Sequence, residues 1–372
     1  MTNILVCGPK DPIGGVERVV IAYVENILKQ HDDIHFDFVF NSDSFSLSDK
    51  LIGLGCGLFF LPSKTNDNKN YRKCFYKIFE TKQYDVVWGN YSGLTNIDLI
   101  KLAKKFNVPK RIVHSHVNML FWGNPIAKII GPIIHSYNKK LLCNYATNFW
   151  ACSKTAADFM FPDTDKISTT IINNAINTEF FSYSEQKRQL IRQELGISDK
   201  TLVIGHVARM CLAKNQIFLL EIMKEIVNIL PDAKLLFVGD GELCETIKEA
   251  TLRLDLQKNI IFTGERNDIS NLLNAMDVFV LPSLSEGLGM CLIEAQACAV
   301  PCVASNNVPQ TTDITATTQY LPLTFSAKDW ATTIIEQADT KISNEKMCVI
   351  ENGFDILVEA ENVYLKFKGN KQ

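Results

Sequence analysis

This sequence holds no Cys-x-x-Cys pair among its 11 cysteines and no strong excess of either charge. It also has no uncharged apolar run approaching the roughly 18 residues that a bilayer crossing needs. The odd cysteine count, with Cys7, Cys152, Cys291 and Cys302 set inside apolar runs, excludes a disulfide scaffold and reads as small core residues in a reducing cytosol. The start shows no charged, apolar and small-residue signal pattern, so the chain is expected in the cytoplasm, with any membrane contact peripheral. Short-period repeats and low-complexity segments are missing too, which argues against a solenoid. Residues 1–180 carry 20 basic against 16 acidic side chains and residues 181–372 carry 18 against 25. The first half therefore tolerates anionic surfaces better, and nothing in the balance calls for nucleic acid.

What is present is apolar patterning. With 372 residues, 47% of them hydrophobic, the chain can bury two ordinary cores. Short runs ending in Gly, Ser, Asn or Asp recur: NILVCG, FDFVFN, YDVVWGN, RIVHSH, NFWACS and TTIINN, then LVIGHVA, AKLLFVGDG, IIFTG, DVFVLPS and PCVAS. Their length and β-branched content predict strands buried on both faces. Helical patterns alternate with them, as in GVERVVIAYVENILKQ and QIFLLEIMKEIVNIL. Strand–helix alternation on this scale predicts α/β architecture: two Rossmann-like parallel-sheet domains facing a cleft at the carboxyl ends of their strands. The rhythm breaks at the polar stretch SYSEQKRQLIRQELGISDK, which places the boundary near residues 178–200, with domains at 1–180 and 181–345.

Several residues have chemical content. Gly14 and Gly15 precede a helix, where a backbone can approach a ligand closely and anions are favoured; a plain tight turn is the alternative. His114 and His116 close the strand RIVHSH and point the same way, but no third ligand has zinc spacing, so no metal is expected. A substrate contact for His116 and a core position for His114 are the preferred readings. Arg209 and Lys214 follow the first strand of the second half, where two cations suit a diphosphate; solvated side chains are the alternative. Asp163–Asp165 and Asp240–Glu242 read as turns. Glu286 and Glu294 stand eight residues apart. On one helix they would lie about 80° round and about 12 Å along from each other, so they cannot pinch one atom. The glycine-rich SEGLG instead predicts Glu286 in a loop and Glu294 two turns down the next helix. The backbone N–H groups of Gly287, Leu288, Gly289 and Met290 then face phosphate oxygens. A nucleotide diphosphate sugar, with hydroxyls at both ends, fits that spacing.

With the Glu-x7-Glu element in SEGLGMCLIEAQACAVP, and Gly14-Gly15, HSH, NNAINTEFF, ARMCLAKN, FVGDGE and DVFVLPS in order around it, the sequence resembles the family 4 retaining glycosyltransferases of the GT-B fold. The branch is similar to enzymes of bacterial capsule, exopolysaccharide or O-antigen assembly. The resemblance implies a nucleotide-sugar donor, a glycan or lipid-linked acceptor in the first domain, and no cofactor. It places Gly15, Gly289 and Met290 at the diphosphate, Arg209 and Lys214 against its charge, His116 near the donor sugar, Glu286 on that sugar and Glu294 on ribose. It implies front-face displacement without a metal, and a terminal segment, 346–372, that crosses back to the first domain. The chain departs from the family at Ala299, where Gly is usual, and at Val117, which intervenes between HSH and Asn118. Two other classes remain open: a sugar-nucleotide epimerase, for which no extra carboxylate pair is found in the first half, and a non-catalytic sugar-binding protein, which would normally be exported. Residues 124–147 combine Ile-rich turns with Lys128, Lys139 and Lys140, as an interfacial helix or an ordinary amphipathic one would.

Overall fold

The computed structural model describes residues 1–11, 13–64, 66–116, 125–163 and 167–369. The chain forms two compact units, residues 1–175 with 356–372, and residues 176–355. In the first, seven strands pair in parallel: β1 (Thr2–Cys7), β2 (Ile34–Phe40), β3 (Gly57–Phe60), β4 (Val86–Tyr91), β5 (Lys110–Ser115), β6 (Asn148–Ala151) and β7 (Thr169–Ile171), in the order β3-β2-β1-β4-β5-β6-β7. The second unit has six: β8 (Val203–Val207), β9 (Lys234–Val238), β10 (Ile260–Phe262), β11 (Val278–Leu281), β12 (Cys302–Ser305) and β13 (Gln319–Leu321), in the order β10-β9-β8-β11-β12-β13, again all parallel. Each sheet winds outward in both directions from its first strand. The order therefore reverses between β1 and β4, and between β8 and β11, which is where an open α/β sheet leaves a crevice at its carboxyl edge.

The central strands are apolar on both sides because helices cover both. In β1, Ile4 and Val6 pack with the helix Gly15–Gln30, while Leu5 faces the opposite cluster with Phe75 and Ile100. The second sheet repeats the pattern, with Val278 and Val280 toward the helix Gln216–Ile229 and Phe279 and Leu281 toward Leu292. The patterning missed β3 and β13, short end strands whose residues are mostly half-exposed.

Two boundary expectations change. The second unit begins at Ile176, ahead of the 178–200 boundary, and the polar stretch after Ser182 lies inside it: Glu185–Glu194 is a helix opened by Ser184, whose hydroxyl accepts from Lys187 N. Its Arg192 is 1% exposed and donates to the carbonyls of Ala275, Ser198, Asp199 and Thr201 and to Asp277 Oδ2 at 2.7 Å. A long cation can be buried this way because each N–H finds an acceptor. At the other end, residues 346–355 stay with the second unit, and the chain rejoins the first only at Ile356. The helix Ile356–Lys368 then lays Ile356, Ala360, Val363 and Phe367 onto the first unit's core, with Tyr364 stacked on His31 and Lys368 paired to Asp33.

Ala299 follows the helix Met290–Ala297 with φ 58°, the left-handed conformation that glycine accepts without strain. A side chain there costs on the order of 1 kcal/mol. Ala299→Gly is therefore expected to stabilise the second unit by about 1 kcal/mol. Urea unfolding of the two proteins checks this, and an unchanged or lower midpoint would contradict it.

Candidate active site

In the second unit, the loops leaving β8 and β11 are tied together where the strand order reverses. Leu284 N donates to Ala213 O at 2.8 Å, and Asn215 Nδ2 donates to Pro282 O at 3.2 Å. Between these ties, Lys214 Nζ lies 2.6 Å from Glu286 Oε1, and Ser283 Oγ donates to the same oxygen at 2.6 Å. The two side chains are 21% and 8% exposed. Burial by itself lowers the Lys214 pKa, but the Glu286 carboxylate more than offsets this, so the amine is held above its ordinary value and stays an ammonium.

Arg209 is arranged differently. Its guanidinium is 71% exposed and pairs with Glu242, Nη2 to Oε2 at 3.0 Å. An exposed pair of this kind contributes only about 0–1 kcal/mol, so the cation can exchange partners at little cost. Its backbone is fixed: Gln216 Nε2 donates to Arg209 O at 3.0 Å, and a side chain at Gly239 would lie 2.3 Å from Ala208 O. The GDGE segment is thus a turn pressed against the β8 loop, as expected, and its Glu242 also supplies the Arg209 partner.

After Glu286 the loop opens. A Cβ added at Gly287 would meet nothing within 4 Å. Leu288 is 6% exposed and anchored among Ile293, Ile314 and Phe354, so its side chain packs and only its backbone is left for a ligand. Gly289, at φ 85°, caps the helix Met290–Ala297 without a side-chain hydrogen bond. The helix begins at Met290 as read, but four residues are little more than one turn, so half-buried Glu294 sits nearer the helix start than the two turns expected. Burial pushes the Cys291 thiol up to about 12, which removes it as a nucleophile.

In the first unit, His116 follows β5 with 6% exposure, and its Nε2 lies 2.8 Å from Asn90 Oδ1. His114 is fully buried; Trp88 Nε1 donates to its Nδ1 at 3.3 Å, and its ring faces that of His116 at 4.0 Å. Burial holds both rings neutral, His116 at about 3 and His114 well below the ordinary range. Gly14 caps the helix Gly15–Gln30, but its N–H already donates to Glu17 Oε2 at 2.9 Å, so a carboxylate occupies part of that helix start. Space beside Gly15 is open, with nothing within 4 Å of an added Cβ. Near the carboxyl ends of β1, β2 and β4, a cavity of about 280 Å³ is lined by Asn41, Tyr71, Asn90, Ser92, Thr95 and Asn96, among others.

Asp163 is exposed in an irregular stretch, while Asp165 and Asn118 lie outside the described residues. Among the described residues, no three His, Cys, Asp or Glu side chains form a group that could hold a metal ion. Sequence reasoning missed Asn90, Ser283, Gln216 and Glu242. All four stood in quoted segments, but as strand, helix or turn residues; Asn90 and Glu242 act through His116 and Arg209, which lie far off in the chain, and Ser283 and Gln216 through Glu286 and Arg209 across a local turn.

The family description "Glycosyl transferases group 1" matches residues 187–349. The chain is 29% identical over 337 residues to EpsF, a Bacillus subtilis protein named as a glycosyltransferase, covering 87% of this chain and 85% of that one. It is 30% identical over 309 residues to the UDP-Gal:alpha-D-GlcNAc-diphosphoundecaprenol alpha-1,3-galactosyltransferase of Escherichia coli, covering 79% of this chain and 76% of that one. The chain belongs to the group 1 glycosyl transferases. Membership in a transferase family sets aside the epimerase and binding-protein alternatives. The fold agrees: HepE of Anabaena, crystallised with UDP, matches with a TM-score of 0.79 at 17% identity, with both chains covered in full. This group 1 glycosyl transferase thus has the GT-B architecture of two parallel-sheet α/β domains.

His206, buried with Nδ1 2.8 Å from Val280 O and held near 4, is a third neutral imidazole. All three folded-state pKa values lie below the unfolded value of about 6.5. On acidification the unfolded chain takes up protons that the folded chain refuses, so stability falls as pH drops below about 6.5. At pH 5 each ring is expected to cost ~2 kcal/mol, with two of the three in the first unit. Denaturant unfolding at pH 7 and pH 5, followed in each unit by hydrogen exchange, should show the first unit losing more; equal or negligible losses would contradict it.

Proposed function

We propose that this glycosyl transferase moves a sugar from a nucleotide diphosphate sugar to a glycan or lipid-linked acceptor, with retention of configuration, in the assembly of a bacterial surface polysaccharide. The observation that carries the donor assignment is the Lys214–Glu286 pair at the reversal between β8 and β11. A fixed ammonium beside a fixed carboxylate suits the junction of a sugar diphosphate, where phosphate charge adjoins hydroxyls. Lys214 and the exposed guanidinium of Arg209 neutralise the diphosphate, Glu286 holds the sugar, and Glu294 takes the ribose. The open backbone at Gly287 and the uncapped turn from Gly289 to Met290 suit phosphate oxygens. Charge on the diphosphate rises as the glycosidic bond breaks, so these cations stabilise the transition state more than the bound donor. In this reading they do the work that a divalent ion does elsewhere, and the departing diphosphate takes the acceptor's proton.

The acceptor belongs in the first unit, whose cavity is lined by amides and hydroxyls together with Tyr71 and Phe75. The similar Escherichia coli enzyme is named for a diphosphoundecaprenol acceptor, and the surface supports lipid-linked substrate here as well. On the helix Pro125–Leu141, Ile129, Ile133 and Tyr137 are 68%, 65% and 63% exposed, with Ile130 and Ile134 beside them. The opposite face is tied down by His135 and Asn138 to the backbone of Leu94. Lys128 and Lys140 are exposed, whereas Lys139 turns inward to the carbonyls of Asp158 and Phe159. An apolar stripe with lysines at its ends fits an anionic bilayer surface. Among the described residues, no helix is long and apolar enough to cross a membrane.

Transfer from a panel of nucleotide diphosphate sugars, with product anomers read by NMR in the presence of EDTA, tests the reaction as a whole. Glu286→Ala should abolish transfer yet bind free nucleoside diphosphate at least as well, because Lys214 then lacks its counter-charge. Lys214→Ala should lower kcat about a hundredfold. Calorimetry and steady-state kinetics decide: equal loss of nucleotide affinity and turnover in Glu286→Ala, or a silent Lys214→Ala, would overturn these roles.

For the membrane face, Ile133→Asp should weaken sedimentation with phosphatidylglycerol vesicles at least tenfold, since burying one such side chain is worth about 1.5–3 kcal/mol. Turnover on a water-soluble acceptor should be unchanged. Equal vesicle binding by the two proteins would remove this helix from the interface.

A further inference from the structure

His116 is one half of a buried pair whose other half has no assigned role. Asn90 is the next-to-last residue of β4, beside β5, and it is 5% exposed. Its Nδ2 donates to two main-chain carbonyls, Cys7 O at 3.3 Å and Trp88 O at 3.4 Å. Carbonyls only accept, so the amide must turn its NH2 toward them and its Oδ1 toward His116. That oxygen carries no proton. The hydrogen bond at 2.8 Å therefore places the proton on His116 Nε2 and leaves Nδ1 a bare lone pair. His116 Nδ1 is buried and has no hydrogen-bond partner among the described residues. Its main chain is held as well, since His116 N donates to Tyr91 O.

The position of Asn90 is itself fixed by the end of β1. Gly8 has φ 125°, and a Cβ there would lie 2.2 Å from Asn90 O and 2.7 Å from Asn90 Cβ. Only glycine lets β4 come this close, so Asn90 and the ring it orients have little freedom. The two histidines of HSH then divide. His114 Nδ1 already accepts from the Trp88 indole, whereas His116 Nδ1 is an acceptor still without a donor.

We propose that Asn90 is a positioning residue that holds His116 as the Nε2–H tautomer, so that His116 Nδ1 accepts a hydrogen bond from a substrate hydroxyl. The proposal rests on the reading of His116 as a substrate contact. A ring fixed this way serves as an acceptor and cannot donate from the substrate side. Because it stays neutral, it discriminates for hydroxyl donors and offers nothing to an anionic group.

Two measurements on the full chain test it. In ¹⁵N-histidine NMR of the wild type, the His116 ring is expected as the Nε2–H tautomer, and binding of a nucleotide sugar or acceptor should shift Nδ1 as it gains a donor. An Nδ1–H ring overturns the proposal with no variant needed. In kinetics, Asn90→Leu is expected to lower kcat/KM about tenfold, the effect of one well-placed hydrogen bond. In a His116→Ala background it should have no further effect, because Asn90 acts through the ring. Independent, multiplying losses would show a merely structural Asn90 and overturn the proposal. Full turnover in His116→Ala alone would instead remove His116 from the substrate, which is the failure of the underlying reading; the wild-type tautomer reports on Asn90 separately.

Discussion

The contact between Lys214 and Glu286 organises the second unit's site. Two residues 72 positions apart in the chain meet because β8 and β11 lie side by side, although two strands and three helices separate them in sequence. A buried ammonium without a partner would be costly, and a buried carboxylate likewise. Each therefore holds the other's loop in place, and the ties to the β11 loop from the Ala213 backbone and the Asn215 side chain keep the pair in register. A ligand at this edge meets both charges already ordered, so little reorganisation accompanies the chemistry. Arg209, by contrast, is exposed and paired to Glu242, on a backbone that Gln216 holds.

The first unit uses neutral polar groups where the second uses charges. Its sheet carries Trp88, Asn90 and His114 on two neighbouring strands, with His116 directly after the second, all buried. The imidazoles persist there because burial makes them neutral and because indole and amide partners satisfy one nitrogen on each. Strand ends carrying polar groups beneath apolar helices are a recurrent compromise: the polar atoms weaken the core and supply the recognition.

Eleven of the thirteen strands were legible as apolar runs, because a strand covered on both faces must be apolar throughout. The family, the Glu-x7-Glu element and the cations at 209 and 214 were legible for a related reason: each lies in one short segment. So was the meaning of Ala299 as a departure, though only its φ of 58° shows what the departure costs. The short strands β3 and β13 escaped notice because they sit at or near a sheet's edge, where half-exposed positions blur the pattern. The helix Glu185–Glu194 read only as a polar break because its side chains spend their donors on carbonyls from elsewhere in the second unit.

What tertiary structure alone decided were the pairings: Lys214 with Glu286, Arg209 with Glu242, Asn90 with His116, and Arg192 with Asp277. Local patterning reports how much of a segment is buried and with what period. Strand order and register determine which neighbour it meets, and in a doubly wound sheet those neighbours come from distant parts of the chain. Residue types and their spacing were therefore enough to point to the family and to nominate the site residues, while the partner of each group appeared only when the sheets brought the strand ends together.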